Sequence, residues 1–292
     1  MLAAPTDSES SQSLIDEAIA VIKNGLGKAE LEFVGSLVTP IFWILRNSRT
    51  GQELVKNGSL FLVDAGEGAF AVTAAHVVSE CLNDTKSPMF VQCMIGRQDQ
   101  VAFPIHIGDR IIDAHVDIDI ATLRLSAAEV KHIGRTVLTG YQKSWPPRLA
   151  QSDCGVTYAG FPGKGRRWLA PRHISFGCVP MGGIATSSHE TCVSIQIERE
   201  KMMRVFGSEE MPENFDFGGM SGGPVLAIVQ SATFRSWIPA GVVVQGPNPS
   251  DNPEQSIQGL EVIRARPIHF IKPDGMLDLA RWHQSHPQGT PL

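Results

Sequence analysis

Phe217-Gly218-Gly219-Met220-Ser221-Gly222-Gly223-Pro224-Val225-Leu226 decides how this chain is read. A serine hydroxyl is a weak nucleophile until a base takes its proton and amide donors stabilise the oxyanion that forms. Gly219 lets the backbone turn so that its own N–H and that of Ser221 converge on one point. Gly222 and Gly223 permit close approach of a neighbouring chain and unusual φ. Pro224 prevents a helix from following Ser221, so Pro224–Val229 reads as an outgoing strand.

The same residues spell G-x-S-x-G, the elbow that presents a serine in α/β-hydrolases. That plan needs a helix directly after the serine and the order serine, acid, histidine. Here a strand follows. The later candidates, Asp251 or Asp274 with His269 or His283, lie in Pro-rich or terminal sequence. An esterase on the elbow plan is therefore disfavoured.

Working back toward the N-terminus, two stretches supply what a serine needs. Val72-Thr73-Ala74-Ala75-His76-Val77 ends a strand on a short turn of small residues. A histidine so placed sits on a rigid element, and its imidazole titrates near neutrality, as a general base requires. Asp117-Ile118-Asp119-Ile120-Ala121-Thr122-Leu123-Arg124-Leu125 puts a carboxylate at the mouth of an alternating strand. A carboxylate there can accept a hydrogen bond from an imidazole, fixing its tautomer and stabilising its protonated form. Asp109, Asp113 and Asp117 compete for that role, and Asp119 is preferred because the apolar alternation begins directly after it.

The rest of the chain predicts an all-β fold. Short β-type runs punctuated by Gly, Pro, Asn and Asp extend from about residue 38 to 265, in keeping with 28 Gly and 19 Pro among 292 residues. The runs are Val38–Leu45, Ser59–Asp64, Ala69–Thr73, Met89–Ile95, Val101–Ile107, Ala121–Leu125, Val156–Phe161, His173–Val179, Cys192–Ile197, Pro224–Val229, Ala240–Gln245 and Leu260–Ala265. Parallel βα alternation is missing, which argues against a doubly wound sheet. A polar, Pro-containing connector, Leu138–Asp153, splits the β region into two halves of similar length. The predicted organisation is an N-terminal helical extension over 1–34, a first β-barrel over 35–140, a second over 141–270, and a C-terminal helix and tail over 271–292. Leu14, Ile15, Ala18, Ile19 and Ile22 recur at helical spacing, with Gly25 as the stop, and Met276–His283 reads as the C-terminal helix.

Composition closes other doors. Hydrophobic residues at 42% with 19% charged residues exclude a disordered chain. No apolar run approaches a membrane span, and a formal net charge of −5 gives no electrostatic case for nucleic acid. Cys81, Cys93, Cys154, Cys178 and Cys192 are odd in number with no C-x-x-C pair, so neither a disulfide framework nor a zinc site is predicted, and no cofactor is implied. Reduced cysteines and a start without a secretory signal point to the cytoplasm.

With these motifs in order, the chain resembles the trypsin/chymotrypsin-like serine peptidases, especially their bacterial intracellular-type and HtrA-like branch. Supporting pieces are Asn57-Gly58-Ser59-Leu60-Phe61-Leu62-Val63, Tyr158-Ala159-Gly160-Phe161-Pro162-Gly163 and Ala240-Gly241-Val242-Val243-Val244-Gln245-Gly246, so the likeness covers about residues 35–270. It implies two six-stranded antiparallel barrels with the active site between them. By the same likeness Ser221 is the nucleophile, His76 the general acid/base, Asp119 its orienting carboxylate, and the amides of Gly219 and Ser221 the oxyanion hole.

Departures from the pattern refine this. Members activated by cleavage carry an Asp just before the serine, where this chain has Met220. Members selecting Lys or Arg carry an Asp six residues before the serine, where this chain has Phe215, with Asp216 beside it. Val243 stands where members selecting Glu carry a histidine. The predicted substrate pocket is thus Phe215, Asp216, Val243, Val244, Gln245 and Gly246, with an apolar or small residue preferred before the scissile bond. The few residues after the second barrel leave no room for a PDZ domain.

The predicted activity is cleavage of protein or peptide substrates. Its competitor is a catalytically silent fold of the same type acting as a binding module. Glu198–Asp216, rich in Glu, Arg, Lys and Met, is read as a loop controlling access to the cleft, and Lys164–Trp168 with Arg172 as a solvated basic hairpin. The N-terminal helix must bury its apolar face against the barrels or a regulatory protein partner.

Overall fold

Val38 to Leu45 are buried without interruption, the mark of a strand covered on both faces. Alternate side chains of this strand serve two cores: Ile41, Trp43 and Leu45 enter one, Val38, Phe42 and Ile44 the other. The computed structural model describes residues 19–21, 25–96, 102–139, 144–170, 173–198, 202, 216–230, 234–247 and 261–285.

The first unit is one sheet of eight strands. They are β1 (Val38–Arg46), β2 (Glu53–Asp64), β3 (Ala69–Thr73), β4 (Phe90–Ile95), β5 (Phe103–Ile105), β6 (Ile111–His115), β7 (Ile120–Arg124) and β8 (Val137–Leu138). Their order is β5-β4-β1-β2-β3-β7-β6, with β8 parallel to β2. The sheet curls but does not close: β5 and β6 are its two edges, and the helical turn Ile107–Arg110 connects them in the chain.

The second unit closes. Its strands are β9 (Cys154–Gly160), β12 (Val179–Ser188), β13 (Val193–Ile197), β14 (Pro224–Gln230), β15 (Arg235–Gln245) and β16 (Glu261–Pro267). They form a barrel in the order β12-β13-β16-β15-β14-β9, and the hairpin β10 (Arg166–Ala170) with β11 (His173–Phe176) stands outside it. The all-β class holds, with one six-stranded barrel and one curled sheet in place of the first barrel.

Three cores follow from this arrangement. Leu60, Leu62 and Ala71 join Ile41 and Trp43 inside the first unit. Val156, Tyr158, Ile195, Val225 and Ile263 fill the barrel. The third core lies between the units, where Phe61, Val63 and Val72 of the sheet meet Ala159, Phe161, Leu226 and Val242 of the barrel. The two units share that apolar layer and form one body.

Four helices matter for the site. Helix α1 (Gly27–Leu37) buries Gly27, Glu30, Val34 and Leu37, a helical spacing, against β9, β12 and β14. Arg235 holds the buried Glu30 at 2.6 Å, and Phe33 lies 5.1 Å from the Trp237 ring. Gly25, the predicted stop of the preceding helix, adopts φ 114° just before α1, and residues 22–24 between it and the helical 19–21 lie outside the described residues. The helix predicted over Leu14–Ile22 lies outside the described residues except for 19–21, which are helical. Helix α2 (Ala75–Thr85) follows β3, and α3 (Ala127–Ile133) starts on a capping box between Ser126 and Glu129. Helix α4 (Leu279–Ser285) is the predicted C-terminal helix, begun a turn late. Among the described residues no helix is long and apolar enough to cross a membrane.

His269, between β16 and α4, is buried, and its Nε2 has no partner among the described residues. Burial, aided by the Arg281 guanidinium, pushes its pKa down to about 4. The unfolded chain then binds a proton that the folded chain refuses as pH falls from 6.5 toward about 4, so stability drops across that window. The thermal midpoint of His269→Leu should decline less steeply over this range than that of wild type. Parallel declines in melts at several pH values would refute this.

Candidate active site

Helix α2 brings His76 into its first turn, where backbone N–H groups have no partner within the helix. Ala74, at the N-cap, has no side-chain acceptor to offer. Asp119 fills the gap from β7's entrance. Its Oδ1 accepts the His76 backbone N–H at 2.9 Å, and its two oxygens lie 2.8 and 3.1 Å from His76 Nδ1. One carboxylate thus caps the helix, faces the positive end of its dipole, and holds the imidazole. Asp119 adopts φ 57°, a left-handed conformation that aspartate tolerates better than most residues.

Among the described residues none of the competing carboxylates bonds His76. Asp113 accepts the N–H groups of Ala114 and Leu277 at 2.8 and 2.9 Å, and Asp109 sits on the turn Ile107–Arg110. Asp117 contributes a backbone carbonyl to Arg266. Helix α2 is seated on β2 at Gly58, where a Cβ would come within 2.5 Å of Val77 Cγ1. Its far end is tied by Asp84, which accepts from Trp43 Nε1 at 2.6 Å and pairs with Lys56 at 2.9 Å.

The serine turn is held peptide by peptide. Gly218 N–H donates to Asp216 Oδ1 at 2.8 Å, Met220 N–H to Phe217 O at 3.0 Å, Gly222 N–H to Val243 O at 2.7 Å, and Gly223 N–H to Met220 O at 3.0 Å. Between them, the amides of Gly219 and Ser221 donate to no group among the described residues. Both are nonetheless oriented, because a trans peptide points its N–H away from its C=O. Gly218 O is held by Gly163 N–H at 2.6 Å and Met220 O by Gly223 N–H. Gly219 reaches this geometry at φ 97°, with no space for a Cβ beside Phe161 O.

Ser59 of β2 joins the turn to the sheet that carries His76. Its N–H donates to Ser221 O at 2.8 Å. Its hydroxyl donates to Gly219 O at 2.8 Å and accepts Phe161 N–H at 2.9 Å. Its carbonyl accepts Thr73 Oγ1 at 2.7 Å, three residues before His76. Asn57 adds a bond from Nδ2 to Phe161 O at 2.7 Å. Ser221 is thereby placed beside the strand end from which His76 projects. Among the described residues no hydrogen bond yet joins its hydroxyl to His76, whose side chain is 46% exposed. Such contacts commonly tighten only when a substrate binds.

Of the predicted pocket residues, Phe215 lies outside the described residues. Asp216 is exposed but committed to Gly218 N–H, and it attracts Arg166, whose guanidinium bonds Val55 O and Gly163 O. Val243 points into the barrel core with Phe217 and Met220, while Val244 packs against the first unit. Gln245 is exposed, and Gly246 passes so close to Phe217 that a Cβ would meet it at 2.7 Å. The access loop predicted over Glu198–Asp216 lies mostly outside the described residues. Sequence reasoning did not single out Ser59 or Arg266, and it read Arg166 as part of a solvated basic hairpin, whereas the Arg166 guanidinium is partly buried on Val55 O and Gly163 O. Ser59 stands inside a quoted motif, but nothing in the sequence marks its hydroxyl as a bridge.

No family model matches the chain, and no curated protein does. Among solved structures, the active form of the Rv3671c protease from M. tuberculosis is similar to it at 14% identity, over 93% of this chain and 88% of that one, with a TM-score of 0.37. A likeness this distant assigns no residue a role.

At Gly222, with φ 89°, a Cβ would lie 2.0 Å from Ser59 O and 2.3 Å from Thr73 Oγ1. Gly222→Ala should destabilise the protein by about 2–4 kcal/mol through overpacking and backbone strain. Denaturant unfolding measures this, and a loss below about 0.5 kcal/mol would show that the units do not meet there as described.

Proposed function

We propose that the chain is a serine endopeptidase that cleaves protein or peptide substrates through an acyl-enzyme. His76 takes the Ser221 proton as the hydroxyl attacks the scissile carbonyl, and then returns it to the leaving amine. Asp119 holds the imidazole and stabilises its charged form. The free amides of Gly219 and Ser221 receive the oxyanion. The observation that carries this reading is that, among the described residues, the amides of Gly219 and Ser221 find no acceptor in a turn whose other N–H groups, from Gly218 to Gly223, are bonded.

An activated-serine probe tests it. A fluorophosphonate should label the folded protein, and Ser221→Ala should abolish labelling. Folded wild-type protein that takes no label would instead indicate a binding module. Removing the Asp119 carboxylate should slow labelling by on the order of 10³–10⁴-fold.

The substrate preference follows from Asp216. Its carboxylate serves Gly218 N–H and faces Arg166, so it is poorly placed to receive a basic side chain. Profiling on a peptide library should show cleavage after apolar or small residues. Strict cleavage after Arg or Lys would overturn this preference while leaving the catalytic reading intact.

A further inference from the structure

Among the described residues, the Asp119 carboxylate receives donors only from His76 itself. With no third group to orient it, it stands where its backbone puts it. That backbone is left-handed at φ 57°, a conformation that persists in a non-glycine residue only where the surroundings hold it.

The peptide entering Asp119 is gripped at both ends. Its N–H donates to His115 O at 2.8 Å and Val116 O at 3.1 Å, both within the same turn. Its oxygen, Ile118 O, accepts Arg266 Nε at 2.6 Å from β16 of the barrel. Arg266 Nη2 donates to Asp117 O at 3.3 Å, and Nη1 to Thr191 O on the β12–β13 connection. All three guanidinium nitrogens are engaged. The Arg266 guanidinium carbon also lies 4.8 Å from the centroid of the Trp282 ring on α4. The planar fork of arginine suits this grip, and a lysine ammonium could not hold three diverging carbonyls in one plane. Burial lowers the Arg266 pKa, while Cys192 and the Asp119 anion draw it back up.

We propose that Arg266 is a positioning residue for Asp119, by which the barrel and the C-terminal helix set the carboxylate against His76. This rests on the proposed endopeptidase reading. It concerns the acid side of the site, whereas the oxyanion turn is held independently through Ser59.

A double-substitution cycle on the full chain tests it, with the fluorophosphonate as probe. In Arg266→Gln the maximal labelling rate should fall about 10–100-fold, with the half-saturating probe concentration within about twofold of wild type. Arg266→Lys should recover little of the loss. In an Asp119→Ala background the same substitution should cost less than about twofold more, because the group it positions is gone. A thermal melt accompanies each variant, and if Arg266→Gln does not fold, Arg266→Lys takes its place in the cycle. An equal loss in both backgrounds, or a wild-type rate in the single variant, would overturn the proposal. If wild type labels and Ser221→Ala does not, such a result removes Arg266 alone. If Ser221→Ala labels like wild type, the endopeptidase reading falls and takes this inference with it.

Discussion

Ser59 is the point on which the two units are registered against each other. It is fully buried and uses its N–H, carbonyl and hydroxyl at once, on Ser221, Thr73, Gly219 and Phe161. The apolar layer between the units supplies most of the adhesion, but apolar contact is non-directional and would tolerate a slide of the barrel across the sheet. Buried hydrogen bonds do not. Breaking one strands a donor or acceptor away from water at about 1–3 kcal/mol, and a slide would break three at this residue together, those to Ser221, Gly219 and Phe161. The cores bring the units together; Ser59 fixes the register.

The junction works in both directions. The first unit lends Ser59 and Asn57 to the segment that carries Ser221, and the barrel lends Arg266 to the turn that carries Asp119. Neither half of the candidate site is complete within its own unit. The close approaches leave little slack: a Cβ at Gly222 would collide with Ser59 O and Thr73 Oγ1, and one at Gly219 with Phe161 O. At Gly222 the space a side chain would need is taken by the sheet's Ser59 carbonyl, and at Gly219 by Phe161 O of the barrel and Asn57 Nδ2 of the sheet.

Much of this was legible in the sequence where a local rule applied. Ala69–Thr73 was bounded correctly because small turn residues flank it, and Pro224 marked the start of β14. The left-handed φ at Gly219 and Gly222 is what a glycine-rich turn implies. Ser126-Ala127-Ala128-Glu129 is a capping box readable from the S-x-x-E spacing alone. Other features had no local signal. β6, Ile111–His115, carries an aspartate and a histidine in five residues, and its pairing with β7 makes it a strand. That β5 and β6 remain unpaired edges of the first sheet is a matter of long-range pairing, which hydrophobic periodicity does not report. The bridges of Ser59 and Arg266 span separations of 160 and 148 residues, and no sequence pattern links such positions.

The candidate oxyanion turn is held chiefly by neutral contacts, and the magnitudes favour that arrangement. Met220 is buried in the barrel core against Gly160, where a carboxylate would need a buried cation to offset several kcal/mol of lost hydration. Met220 asks for no such partner. The one carboxylate that touches the turn, Asp216, is exposed and accepts Gly218 N–H, a contact that solvent screens. The bonds to Gly163, Ser59, Val243 and Gly223 are neutral and bury their carbonyl partners, so they outweigh it. A turn preorganised this way keeps its two free amides aimed without a charge that must first be created or paired, so its geometry should be insensitive to salt and to pH across the neutral range.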